Sequence, residues 1–255
     1  VITGIVVALP EELSTLTSKI LSKGHSHFIN KKTLVIYSGA GPINASSAAE
    51  HLFSKGATQL ISWGCAAALI ESLNPGDLIL ANELIFTEES NTIKLEASAN
   101  WHQRTKELLS SLVNVNIGSL VESKCIVSCS ADKKNIHTTT NAAALDMESI
   151  AIAKVAKQHA LPFIAIRVIA DPVEMDLPLA VTHSLNQQGE VSICKLMYYL
   201  ILHPKELPGL IKLGLHFSAA KKTLKLIAKY LDIICRFEDH QSKTLTFTFN
   251  PTLRI

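Results

Sequence analysis

Apolar residues along this chain fall into two rhythms that alternate through its first two thirds. Short runs rich in β-branched residues at 2–8, 33–38, 59–63, 77–81, 117–120 and 162–169 predict strands. Between them, apolar residues recur at helical spacing over 10–21, 43–55, 101–112 and 147–159, which predicts helices. Ile5, Val6 and Val7, like Phe163, Ile164, Ala165 and Ile166, are apolar without interruption, as expected of strands covered on both faces. Strand and helix in alternation predict an α/β fold. The stretch 87–100 is polar and acidic and reads as a surface excursion. From Gly189 to Arg236 the pattern is helical, and Pro204 and Pro208 are expected to separate successive helices. The closing KTLTFTFNPTLRI alternates like a strand with no evident place in the fold.

Composition narrows the class. The 255 residues are 47% hydrophobic and 18% charged, a globular composition with enough chain for one large core. A net charge of +2 does not suggest nucleic-acid binding. The basic residues concentrate between Gly189 and Arg236, with eight Lys or Arg against three acids. Five scattered cysteines, Cys65, Cys125, Cys129, Cys194 and Cys235, show neither zinc-ligand nor thioredoxin spacing and read as reduced thiols of a cytoplasmic protein. The opening VITGIVVAL has no basic flank or cleavage site and reads as a buried strand, and no apolar run reaches the ~20 residues of a membrane helix.

Four segments lie where predicted strands end or helices begin, the places where open α/β sheets gather ligands. ALPEEL carries Glu11 and Glu12; Pro at the first helical position with acids behind it is also ordinary helix-start chemistry. SGAGPIN is a strand-to-helix turn whose backbone N–H groups could line a ligand, but it is neither a dinucleotide fingerprint nor a P-loop. SWGCAAAL is a run of small residues that permits close backbone approach. The fourth, LDMESIAIAKVAKQHALPFIAIRVIADP, opens a helix with Asp146 and Glu148 and follows it with a buried strand that delivers Arg167 and Asp171. Asp146 as a cap, Arg167 in a structural ion pair and Asp171 as a pre-proline residue would account for these structurally. A carboxylate at a strand end facing another at a helix start equally suits acid/base work.

Taken in order, VVALPEEL, SGAGPINA, WGCAAAL with GDLI, and LDMESIAIAKVA with PFIAIRVIADP resemble the nucleoside phosphorylase/nucleosidase superfamily over residues 2 to 175. The N-terminal part is similar to the methylthioadenosine/S-adenosylhomocysteine nucleosidases. ADKKNIHTTTNAAALDMES, DPVEMDLP and HPKELPGLIKLG are more like the hopanoid-associated nucleosidases, proposed to release adenine from adenosylhopane. The resemblance implies a three-layer α/β/α fold with a central mixed, partly barrel-like sheet. It implies a catalytic unit over 1–188, with 189–255 a helical extension packed on it. It also implies no cofactor and no metal, a small purine nucleoside as ligand, and a homodimer or higher oligomer.

Carried over by motif, Asp171 would be the general acid at N7 of the purine, and Glu12 would orient or deprotonate the attacking water. Glu148 would accept hydrogen bonds from the ribose hydroxyls, with Met147 packed on the sugar. Arg167 would position the carboxylates, and Cys65, Ala66, Val127 and Ser128 would lie against the substrate. The chain departs from the family in two places: Cys65, Ala66, Ala67 and Ala68 replace a common Ser-Ala-Gly-Gly, and Ala170 replaces a common Ser. The first change is expected to narrow the sugar site.

Phosphorylases of the superfamily bind phosphate through arginines, and this chain has only Arg104, Arg167, Arg236 and Arg254. Guanidinium groups suit phosphate better than lysine does, so hydrolysis is favoured. Phosphorolysis using Lys31 or Lys32 stays open, as does a nucleoside-binding protein without turnover. The lysines of the last helices, interspersed with leucines and isoleucines, read as a solvated face or as a peripheral contact with an anionic membrane.

Overall fold

The computed structural model describes residues 1–88, 91–184 and 193–236. In chain order the elements are β1 (Thr3–Val7), α1 (Pro10–Leu13), β2 (Ser26–Asn30), β3 (Thr33–Tyr37), α2 (Pro42–Ser54), β4 (Gln59–Ala68), β5 (Leu78–Glu88), β6 (Asn91–Glu96) and α3 (Ala99–Leu109). They continue with β7 (Val115–Glu122), α4 (Ser130–Thr140), β8 (Ala144–Asp146), α5 (Ser149–Gln158), β9 (Phe163–Asp171), α6 (Leu179–Ser184) and α7 (Ile193–Leu202). A short 3-10 turn (Pro204–Glu206), α8 (Leu207–Ala228) and α9 (Leu231–Ile234) follow. The predicted strand in 243–255 lies outside the described residues, as do Arg254 and Gly189.

The sheet is mixed and partly closed. Strands β4, β8, β7, β5 and β9 pair in a ring, with β9 returning to β4. From β4 the sheet runs outward through β1, β3 and β2, and from β5 it extends to β6. The uninterrupted apolar runs have the expected reason: alternate residues feed two separate cores. Val6, Ala165 and Ile169 pack with α2 and α5 through Ala49, Leu52 and Ile152. Ile5, Val7, Ile164, Ile166 and Val168 pack on the other side with Leu13, Trp101, Ala220, Leu224 and Ile227. Helices therefore cover both faces, giving the three-layer α/β/α architecture expected.

Three expectations need correction. The helix predicted over 10–21 stops at Leu13, because the Ser14 and Thr15 hydroxyls bond back to the carbonyls of Glu11 and Glu12 at 2.6 Å each and turn the chain. The surface excursion at 87–100 contains β6, whose Ile93 and Leu95 face the core while Thr92, Lys94 and Glu96 face out. That alternation is too short, and too mixed with charge, to stand out in the sequence. The strand predicted over 59–63 runs on through the small-residue run to Ala68, pairing Ala67 with Leu145 and Ala68 with Ala144. As expected, Pro204 and Pro208 separate α7 from α8: they sit in the first turns of the 3-10 turn and of α8, where a missing N–H costs nothing.

Candidate active site

The carboxyl ends of β1, β4 and β9 meet the starts of α1, α2 and α5 around a cavity of about 300 Å³. Glu12, Cys65, Ala66 and Val127 line it, together with Met147, Glu148 and Asp171. Arg167 lies behind the wall, and Ser128 beside it, where its carbonyl accepts the Leu177 N–H at 2.8 Å.

Glu12 is fixed by local sequence and by one distant strand. Leu9 is extended and Pro10 opens α1, which folds the Glu12 side chain back so that Oε2 accepts the N–H groups of Ala8 and Leu9 at 3.2 and 3.1 Å. Oε1 accepts the Cys65 N–H at 2.8 Å. The helix-start chemistry and the site placement are thus the same fact, while Glu11 is exposed. Burial raises the Glu12 pKa, against the pull of Arg167 and the three N–H groups. Gly64 makes this approach feasible: a Cβ there would lie 2.5 Å from Glu12 Oε1 and 2.7 Å from Arg167 Nη1.

Beneath the cavity floor Arg167 gathers two carboxylates. Its Nε lies 2.7 Å from Asp146 Oδ2, and its Nη2 3.6 Å from Glu148 Oε2. Nε also donates to Ser149 Oγ at 3.1 Å, Nη2 to Ser62 Oγ at 2.7 Å and Nη1 to the Cys65 carbonyl at 3.2 Å. Asp146 also accepts the Ser149 N–H, the first of α5, although the N-cap position itself is Glu148, and Arg167 does form a structural pair. Burial works against the arginine's charge, but Asp146, Glu148 and Glu12 together raise its pKa.

Glu148 is held from the opposite direction by α2. Gly41, at φ 94°, precedes that helix and donates its N–H to Glu148 Oε1 at 2.9 Å. A positive φ at this position favours glycine, so the SGAGPIN turn contributes its backbone to a carboxylate of the site. Burial pushes the Glu148 pKa up to about 7, with Arg167 opposing and Asp146 reinforcing the rise.

Asp171 ends β9, where a register shift between Ala66 and Ala67 sets it opposite Ala67. Burial raises its pKa, while Lys133 Nζ, 2.7 Å from Oδ1, pulls in the other direction. Lys133 escaped the sequence reading, as did Ser62, Ser149 and the tasks of Gly41 and Gly64. The helix bearing Lys133, SADKKNIHTTT, has no apolar stripe and carries no signal of what it buries. Cys65 lies against Glu12, and its thiol pKa is raised well above the ordinary value, first by burial and then by that carboxylate.

The far side of the cavity is apolar. Leu177, Val181, Leu213 and Phe217 line it, the last two from α8. The methyl groups of Ala66 and Ala67 reach the same space. Among the described residues no group of three His, Cys, Asp or Glu is placed to hold a metal ion.

Lys31 and Lys32 stand elsewhere. They precede β3, whose Thr33 pairs with Thr3 at the start of β1, whereas the site lies beyond that strand's end. With Arg104 and Arg236 they line a separate cavity of about 800 Å³. The expectation that either lysine could serve a phosphate at the site is corrected by the length of the sheet between them.

Residues 3–193 match the family described as the phosphorylase superfamily. A 5'-methylthioadenosine/S-adenosylhomocysteine nucleosidase of Staphylococcus haemolyticus is 28% identical over 194 residues, covering 66% of this chain and 85% of its own length. Among solved structures, the nucleosidase of that name from Helicobacter pylori, with butyl-thio-DADMe-Immucillin-A, superposes with a TM-score of 0.67 at 18% identity, covering 91% of this chain and 96% of its own. The futalosine hydrolase of Helicobacter pylori superposes with a TM-score of 0.66 at 18% identity, covering 91% of this chain and 96% of its own.

Proposed function

The chain belongs to the phosphorylase superfamily, and from that premise we propose that it is a purine nucleosidase, hydrolysing the N-glycosidic bond of an adenosine derivative. The observation that carries the reading is the convergence of Glu12, Glu148 and Asp171 on one cavity with an apolar far wall. Asp171 donates its proton to N7 of the base, so the electron pair of the breaking C1′–N9 bond leaves on a neutral purine. Water adds at C1′ and its proton passes to Glu12, while the anionic site stabilises the cationic sugar. Glu148 accepts hydrogen bonds from the ribose hydroxyls and Met147 packs on the sugar. Arg167 keeps the carboxylates in register and does not touch substrate.

Water is favoured over phosphate as the nucleophile. Arg167 is already committed to Asp146 and Glu148, and Arg104, Arg236, Lys31 and Lys32 line the separate cavity. A carboxylate at the position of Glu12 would also repel a phosphate dianion. The relatives' own names, a nucleosidase and a futalosine hydrolase, point the same way.

For the 5′ group, the wall of Leu177, Val181, Leu213 and Phe217 favours an apolar substituent, and the resemblance noted above makes adenosylhopane the candidate. We take residues 1–188 as the catalytic unit and 189–255 as an extension, of which α8 lines this wall. Beyond the cavity, Met197, Tyr198, Ile201, Leu202, Ile211 and Leu215 are exposed on α7 and α8, with Lys195, Lys205 and Lys212 among them. Such a face suits peripheral contact with an anionic membrane that holds a lipid-linked substrate. No described helix is long and apolar enough to cross one.

The test is release of free adenine from adenosine, methylthioadenosine and adenosylhopane, with and without phosphate. Release independent of phosphate is expected, with the most apolar 5′ group preferred. A strict phosphate requirement would make the protein a phosphorylase, and no release from any of the three would leave a binding protein. Cosedimentation with anionic vesicles at low salt tests the membrane contact, and sedimentation equilibrium tests the homo-oligomer.

A further inference from the structure

Lys133 is fully buried, and it is the one residue that α4 buries. Its three ammonium protons meet three acceptors: Asp171 Oδ1 at 2.7 Å, the Met175 carbonyl at 2.8 Å and the Pro172 carbonyl at 3.1 Å. Burying a cation is costly, and a helix tethered to a loop by two carbonyls would need only a neutral donor. A full positive charge at this position answers to the charge on Asp171.

We propose that Lys133 is a positioning residue for the proton donor, gripping Oδ1 of Asp171 so that Oδ2 faces N7 of the bound purine. The inference rests on the nucleosidase reading above. When the proton leaves Asp171 for N7, the hydrogen bond from Lys133 becomes an ion pair with the new carboxylate, and after the base departs Asp171 is reprotonated from water. The protons of Lys133 stay where they are throughout.

The charged groups around Asp171 are few. Lys133 faces it from α4, and Asp176, from the loop after β9, adds a weaker opposing charge while its Oδ1 accepts the Ser130 N–H at 2.6 Å. Glu12 and Glu148 are engaged with Arg167 instead, and the charges that act on Asp171 are those of Lys133 and Asp176. Loss of the ammonium therefore leaves burial and Asp176 acting together, and both raise the Asp171 pKa. A weaker acid that keeps its proton to higher pH is the consequence.

The experiment is kcat and KM for adenine release as a function of pH in the wild type and in Lys133→Gln, Lys133→Met, Lys133→Arg, Asp171→Asn and the Lys133→Gln/Asp171→Asn double variant. Lys133→Gln and Lys133→Met are expected to lose ~10-fold or more in kcat, with KM changed far less. The limb at which kcat/KM falls with rising pH should move up by about 1–3 units. Lys133→Arg should return that limb toward the wild-type position, and Lys133→Gln should cost nothing further once Asp171 is Asn. A neutral variant with the wild-type profile, a loss of kcat with the limb unmoved, or additive losses in the double variant would each overturn the proposal. So would failure of both neutral variants to fold, since Lys133 would then be a structural tether. A wild type that releases no adenine would instead remove the nucleosidase reading on which the inference stands.

Discussion

Arg167 reaches Asp146 across an intervening strand: Nε and Oδ2 lie 2.7 Å apart, although β9 and β8 pair with β4 and not with each other. The guanidinium passes over Gly64, its register partner on β4. Each side chain of the pair is 2% exposed. The pair therefore links two strands of the ring beneath the cavity and places Glu148, which follows Asp146 by two residues.

Breaking this pair should destabilise the whole fold. Asp146→Ala strips Arg167 of its nearest carboxylate and Arg167→Met leaves Asp146 and Glu148 without their cation, an effect of about 3–5 kcal/mol. Urea denaturation measures it. A loss below about 1 kcal/mol would mean that the pair is not integral to the ring.

Gly64→Ala should separate activity from folding. Its new Cβ would lie 2.5 Å from Glu12 Oε1 and 2.7 Å from Arg167 Nη1, closer than such contacts allow, so the carboxylate has to move. Displacement of a reacting group by about 1 Å can cost ~100-fold in rate. We expect such a fall in kcat with the far-UV circular dichroism unchanged, and wild-type kcat would show that the position of Glu12 is not critical.

Glu148 makes stability depend on pH in a direction opposite to that of an ordinary ion-paired carboxylate. Its pKa in the fold, about 7, lies above the ordinary value of 4.5, so between these values the folded state binds more protons than the unfolded chain. Stability contributed by this group therefore falls as pH rises from about 4.5 to 7 and stays lost above that. Glu148→Gln removes the titration, so its stability relative to wild type should improve steadily across that window. Parallel stability curves for the two proteins would refute this.

The apolar far wall should govern the choice of 5′ group. Phe217→Ala and Leu213→Ala widen it, and contacts worth a methylene or more in such a pocket discriminate by ~10–200-fold. The ratio of kcat/KM for methylthioadenosine over adenosine is expected to drop in both variants. An unchanged ratio would place the 5′ group away from α8.

Much of this molecule is readable along the chain. Uninterrupted apolar runs at Ile5 to Val7 and Phe163 to Ile166 identify strands covered twice, and each alternate residue does enter one of two cores. Pro10 and the acids behind it mark a helix start, and the same local geometry folds Glu12 onto the site. Asp146, Glu148, Arg167 and Asp171 stand out as charges in apolar surroundings. These readings succeed because periodicity, capping and burial of a lone charge are properties of a few neighbouring residues.

What the sequence could not decide depends on residues brought together from far apart. The closing of β9 onto β4, the grip of Lys133 on Asp171 38 residues away, and the part of α8 in the cavity wall leave no local pattern. Lys31 and Lys32 were plausible phosphate ligands until the sheet set them at the opposite ends of its strands from Glu12 and Asp171. Local patterning determined which elements form and where charge is out of place. Only the tertiary structure decided which charges meet, because electrostatic pairing depends on distance in space and the chain's periodicity carries no information about it.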